Sequence, residues 1–138
     1  MSTIFEKIIA REIPAYIVYE DDLSIAFLDI MQATKGHTLV VPKKAYQSIH
    51  DIPEELLSHL VKVAKKIAKA IEKAFSISDV NLLNNSGVIA GQTVFHFHLH
   101  VIPRYVENDI TMHFVNHMNE LSPEEYKKRA ALISTALL

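Results

Sequence analysis

The stretch Phe95-His96-Phe97-His98-Leu99-His100-Val101 alternates apolar and imidazole side chains without a break over seven residues. In a β-strand successive side chains point to opposite faces, so a strand over residues 94–102 turns this pattern into two distinct surfaces. Phe95, Phe97, Leu99 and Val101 form one face; His96, His98 and His100 form the other. The apolar face demands a cover. The imidazole face is expected to lie open or against a ligand, because rings packed into hydrocarbon would each need a polar partner.

A cover is available in the same chain. Asp51 and Glu54 have the spacing of a capping box, and Leu56, Leu57, Leu60, Val63, Ala64, Ile67, Ile71 and Ala74 then recur at helical intervals. This predicts a long helix over about residues 52–75. Lys62, Lys65, Lys66, Lys69 and Lys73 fall largely on its other side, and read as a solvated face rather than a surface for an anionic ligand. Further strands are expected over residues 16–19, 24–29, 37–41 and 80–84, with turns at Asp21-Asp22 and Lys35-Gly36. A short helix is expected over about residues 3–11, stopped before Pro14. Another is expected over about residues 122–136, where Ser122 caps, Pro123 opens the first turn and Glu125 closes a capping box. Closely spaced early strands and segregated helices give the α+β class.

Composition narrows the chemistry. The chain has 138 residues, 49% of them hydrophobic, without repeats or a flexible linker, which is one ordinary domain with material for a core. A net charge of -2 gives no general attraction to nucleic acid or to an acidic membrane, so any phosphate-bearing ligand has to be captured locally. With no cysteine, disulfides and cysteine-ligated metal are excluded. The first residues carry Glu6, Arg11 and Glu12 among their apolar neighbours and lack a signal-peptide core, and no apolar run reaches the roughly 20 residues of a membrane span. A cytoplasmic protein with no membrane partner is expected.

Three readings of the histidine row compete. It could be only the polar face of a half-exposed strand, which is the ordinary fate of a single histidine but not of three in register. It could bind metal. Along an extended strand, however, His96 and His100 lie about 13 Å apart at their Cα atoms, whereas ligand nitrogens around zinc approach to about 3.4 Å, so only adjacent members could share an ion. The other spaced pair, His113 and His117, lacks the glutamate of an HExxH motif and reads as loop or surface. The third reading is phosphorus chemistry: a neutral imidazole is a competent nucleophile, and its neighbours can donate to the charged equatorial oxygens of a phosphoryl group in transfer. Gly91-Gln92-Thr93 immediately upstream adds backbone amides, a side-chain amide and a hydroxyl. This reading uses the most of the local sequence.

The segment Gly91-Gln92-Thr93-Val94-Phe95-His96-Phe97-His98-Leu99-His100-Val101-Ile102-Pro103-Arg104 resembles the signature of the histidine-triad (HIT) family. Ala26-Phe27-Leu28-Asp29-Ile30, followed by residues 35–44, resembles that family's second block, and Ile4-Phe5-Glu6-Lys7-Ile8-Ile9 with Glu12-Ile13-Pro14 resembles its bacterial members. The resemblance implies a five-stranded antiparallel sheet with helices packed on one side, in a homodimer joined through the long helix and a sheet edge. It places a HIT domain at residues 4–110 and a C-terminal extension at 111–138 in the same globular unit.

The resemblance also implies roles. His98 would attack the α-phosphorus of a purine nucleotide and form a nucleotidyl-histidine intermediate, with the His96 carbonyl orienting its ring and fixing its tautomer. His100 and Thr93 would contact phosphate oxygens and the departing group, and Gly91 and Gln92 would line the same pocket. Asp29 would accept from the ribose hydroxyls; Phe27, Ile30 and Leu39 would wall the base; Asn85 would contact the ribose-phosphate; His37 would lie near the triad. Asp29 could instead be a strand-ending turn residue, Asn84 and Asn85 a plain turn, and Ile30 and Leu39 core. The implied reaction is hydrolysis of a purine nucleoside phosphoramidate or related adenylate, with no cofactor. Hydrolysis of a dinucleoside polyphosphate is the neighbouring activity, and a non-catalytic nucleotide-binding or interaction module fits the same fold. Many bacterial relatives hold a structural zinc ion with a Cys-x-x-Cys pair and a histidine where this chain has Thr3, Glu6 and Ala45, so folding without metal is expected.

Overall fold

The computed structural model describes residues 2–138. Its strands are β1 (Ile17–Glu20), β2 (Ser24–Leu28), β3 (Thr38–Pro42), β4 (Val80–Leu83) and β5 (Leu99–Pro103). They make one antiparallel sheet in the order β1-β2-β3-β5-β4. The helices are α1 (Ile4–Ile9), α2 (Glu54–Phe75) and α3 (Pro123–Ala136), with a 3₁₀ turn at Met118–Glu120. None of these helices is long and apolar enough to cross a membrane.

Alternation along β2 and β3 divides the core in two. Ala26 and Val40 join Phe97 and Val101 under Leu60, Val63, Ala64, Ile67 and Ile71 of α2. Ile25, Phe27, Leu39 and Val41 point the other way and pack against Phe5 and Ile8 of α1. Helices therefore lie on both faces, not on one as the resemblance implies. Helix α1 is short, but it is fixed by a capping box between Thr3 and Glu6, and it roofs the face that carries the histidines.

Of the boundaries that differ from the sequence reading, two differ because of a proline. The expected strand over residues 94–102 pairs only from Leu99, since the last β3–β5 pair is Val40 with Leu99 and the ladder then runs out towards Pro42, which has no N–H to donate. Side chains continue the work: the His96 ring donates to the Pro42 carbonyl, and Asn84 donates to the His98 carbonyl. The Phe97 amide donates to the Tyr46 carbonyl at 2.6 Å. Phe95 consequently leaves the buried face and is 39% exposed. The long helix starts at Glu54 rather than at residue 52, because Pro53 holds the preceding residue out of helical geometry. Asp51 does not cap it; that carboxylate accepts from the amides of Gln47 and Ser48 instead. Ser122 does cap α3, accepting from the Glu125 amide, and every residue of that helix is exposed.

Candidate active site

Residues 29–37 fold back on themselves and deliver His37 to the start of β3. The Asp29 amide donates to the His37 carbonyl, the His37 amide to the Thr34 carbonyl, and the Gln32 side chain to the His37 carbonyl. Gly36, with φ of +102°, makes the turn; a side chain there would also meet the Phe75 ring at 2.9 Å. Leu39 pairs with His100, so the first residues of β3 and β5 place His37 and His100 side by side. The His98 and His100 ring centroids are 4.9 Å apart, as are those of Phe5 and His98, the latter pair edge to face at 88°.

The hydrogen bonds determine where each proton sits. His98 Nδ1 lies 2.8 Å from the His96 carbonyl, which can only accept, so Nδ1 carries the hydrogen and Nε2 keeps its lone pair. His96 Nε2 likewise donates to the Pro42 carbonyl at 2.8 Å. The Ala33 amide donates to His37 Nδ1 at 3.1 Å, so the neutral His37 ring has its hydrogen on Nε2. That nitrogen is 2.8 Å from His100 Nδ1, which must accept, and His100 is left with an Nε2–H. Among the described residues His96 Nδ1 is the enclosed side-chain nitrogen with no partner. Among the described residues Nε2 of His98 and Nε2 of His100 have no hydrogen-bond partner, and neither is enclosed, so both reach solvent. A free lone pair thus stands beside a ring N–H.

Burial keeps these rings uncharged. It is the largest cause lowering the pKa of His98, reinforced by the neighbouring His96 and His37, while the His96 carbonyl and Asp29 pull upward. His100 is lowered to about 4 by burial, then by His98 and His37, against Asp29. Burial also lowers His96, opposed by the Pro42 carbonyl and Glu6, and His37, opposed by Asp29 and the Met31 carbonyl.

Next to the rings is an apolar cavity of about 350 Å³, lined by Phe5, Ile8, Ile13, Pro14, Phe27, Leu39 and others, with Asp29 and Ile30 among the lining residues. That volume is in the range of small-ligand pockets. Asp29 does two jobs: Oδ1 accepts from the Met31 amide as a turn residue would, and Oδ2 is 3.7 Å from His37 Nε2. Phe27 and Leu39 are buried walls, and Ile30 is 81% exposed. Thr93 is exposed. Gly91 turns the chain at φ +94° beside the Asn85 side chain. Gln92, in contrast, is buried, and its amide is spent on Gly87, Gln47 and Val94, which makes it the anchor of its loop. His37, at 4% exposure, lies behind His100 rather than in the cavity. Two residues that the sequence reading gave no role contribute here: Asn84, through the His98 carbonyl, and Phe5, through its edge contact with His98. The adjacent asparagines were the available signal for the first.

Metal fits the row poorly. Thr3 and Glu6 form the α1 capping box and Ala45 has no donor atom, and among the described residues no group of potential ligands gathers around His96 Nδ1. The atoms that do converge belong to Asp29, His37 and His100, within 4.8 Å of one another.

The HIT domain family matches residues 10–107. Protein hit of Bacillus subtilis is 43% identical over 97% of this chain and 93% of its own length. Adenosine 5'-monophosphoramidase HNT1 of Saccharomyces cerevisiae is 44% identical over 73% of this chain and 61% of its own length. Adenylylsulfatase HINT3 of Arabidopsis thaliana is 39% identical over 73% of this chain and 51% of its own length. The crystal structure of a HIT family protein from Bacillus anthracis matches with a TM-score of 0.91 and 49% identity, over 98% of this chain and 96% of that one. Fold, imidazole row and likeness together define a hydrolase. The chain belongs to the HIT family.

Proposed function

We propose that this hydrolase cleaves purine nucleoside phosphoramidates or related adenylates at the α-phosphate, with His98 as the nucleophile. The observation that carries the reading is the 2.8 Å bond from His98 Nδ1 to its neighbour's carbonyl, which leaves Nε2 unprotonated and open to solvent. In the first step a bond forms between Nε2 and phosphorus, and the bond to the departing nitrogen or oxygen breaks with its electron pair staying on that atom, a departing nitrogen taking up a proton from solvent. The ring becomes cationic in the adduct, and its Nδ1–H bond to the His96 carbonyl stabilises that charge. Water then attacks phosphorus, displaces Nε2, releases a proton to solvent and gives the nucleoside monophosphate, the ring returning to its neutral Nδ1–H form. His100 Nε2–H is the donor to the phosphoryl oxygens. Asp29 Oδ2 takes the ribose hydroxyls, and the apolar cavity takes the base. Two relatives support attack at the α-phosphorus: one is named an adenosine 5'-monophosphoramidase and the other an adenylylsulfatase, and the α-phosphorus is the centre those two substrate types share.

We also propose a symmetric dimer, since Val61 of α2 and Leu82 and Leu83 of edge strand β4 are exposed. The catalytic reading is tested by mixing the protein with an adenosine phosphoramidate and, separately, with a diadenosine polyphosphate. Faster cleavage of the first and a nucleotidyl adduct mapped by mass spectrometry to His98, absent in His98→Ala, are expected. Faster cleavage of the polyphosphate would reassign the substrate, and an adduct on another residue would reassign the nucleophile.

A further inference from the structure

We propose that His37 is a positioning residue that holds His100 as an Nε2–H donor to the phosphoryl group, an inference that rests on the nucleotidyl-transfer reading above. An isolated neutral imidazole exchanges between two tautomers, and only one of them would present a hydrogen to a phosphoryl oxygen; the other presents a lone pair and repels it. Nothing in His100 itself selects between them. The selection comes from outside, through a chain of hydrogen bonds with one allowed direction. It starts at the Ala33 amide, which can only donate, passes through His37 Nδ1 and Nε2, and ends at His100 Nδ1.

The setting makes that direction robust. His37 is 4% exposed, its Nδ1 accepts from the Ala33 amide, and its own amide and carbonyl are bonded within the fold-back, so the ring has little freedom to rotate. The charged or titratable groups facing the pair are Asp29 from the end of β2 and His98 from the residue just before β5. Asp29 Oδ2, at 3.7 Å from His37 Nε2, favours a hydrogen on that nitrogen and so acts in the same sense as the Ala33 amide. Burial keeps both rings neutral at neutral pH, so the bond is a donor–acceptor pair and not a repelling pair of cations. No proton changes place in this role; His37 acts through His100 and touches no substrate.

Leucine at position 37 removes the donor and frees the His100 tautomer. Glutamine restores an N–H at about the reach of Nε2 without an ionisable ring. In protein labelled with ¹⁵N-histidine, two-bond ring correlations are expected to show His100 as the Nε2–H form in the parent and in His37→Gln, and as a mixture in His37→Leu. With a phosphoramidate substrate, His37→Leu is expected to lower kcat by roughly tenfold to a hundredfold, with KM moved less than about threefold, and His37→Gln to recover most of the loss. A parent His100 protonated on Nδ1 overturns the proposal, as does a kcat for His37→Leu equal to the parent's, or a His37→Gln enzyme no better than the leucine variant. The spectroscopic comparison needs no substrate. If no nucleotidyl adduct forms at all, the catalytic reading falls, while the tautomer result still decides whether His37 sets His100.

Discussion

An imidazole attacks phosphorus only while the attacking nitrogen is unprotonated. Burial, the largest influence on His98, extends that condition to more acidic pH than the ordinary histidine value of about 6.5. The acid limb of kcat/KM for the free enzyme is therefore expected below pH 6.5. It is measured by following phosphoramidate cleavage across the range, and a limb at or above that value would show that burial does not lower the pKa of His98. The row of imidazoles was legible in the sequence from its period of two, and the proposal of the middle ring as nucleophile comes from the family signature. The proton positions were only partly legible. The His98 tautomer depends on a carbonyl two residues away, and the resemblance anticipates it. The others depend on partners far along the chain, such as the Pro42 carbonyl, 54 residues from His96, and on the His37–His100 bond, which spans 63 residues. No local pattern encodes those meetings.

Secondary-structure elements are joined at the back of the sheet by one carboxylate. Asp21 accepts from the amides of Leu23 and Ser24 and from the Ser24 and Tyr19 hydroxyls, and it meets His59 of α2 at 2.8 Å. Burial pushes its pKa up, but those donors outweigh it and hold the carboxyl well below the usual carboxylate range. The residue thus closes the β1–β2 hairpin and ties it to the long helix. Asp21→Ala is expected to destabilise the fold by about 2 kcal/mol, since several donors, most of them part-buried, lose their acceptor together. Urea unfolding would read this as a lower midpoint with the slope unchanged; a midpoint equal to the parent's would mean that water replaces the carboxylate at no loss. Helix α2 was readable from its periodicity, and β2 from the Asp21-Asp22 turn that precedes it. The start of β5 and the first turn of α2 were not, because each is decided by what proline withholds: a ladder donor at Pro42, and helical geometry for the residue before Pro53.

At the scale of the whole molecule, His37, His96, His98 and His100 all have pKa values lowered from the usual 6.5. Above that pH neither the folded nor the unfolded chain protonates them, and they leave stability unchanged. Below it the unfolded chain binds protons that the folded one refuses, so stability falls as pH falls towards the folded values. His100, at about 4, contributes up to roughly 2 kcal/mol of this loss by pH 5. Thermal melting is expected to show a lower midpoint at pH 5 than at pH 7, with the difference shrinking in His100→Asn; equal midpoints would mean that the rings protonate freely in place. If two copies pair as proposed, the midpoint at fixed pH also rises with protein concentration. Pro42 has one more effect. By ending the ladder, it leaves the stretch ahead of Leu99 as a cantilever, rooted in the sheet and braced near its tip by a ring, an amide side chain and one backbone bond. Trimming any one brace would change the reach of the proposed nucleophile without re-registering a single strand.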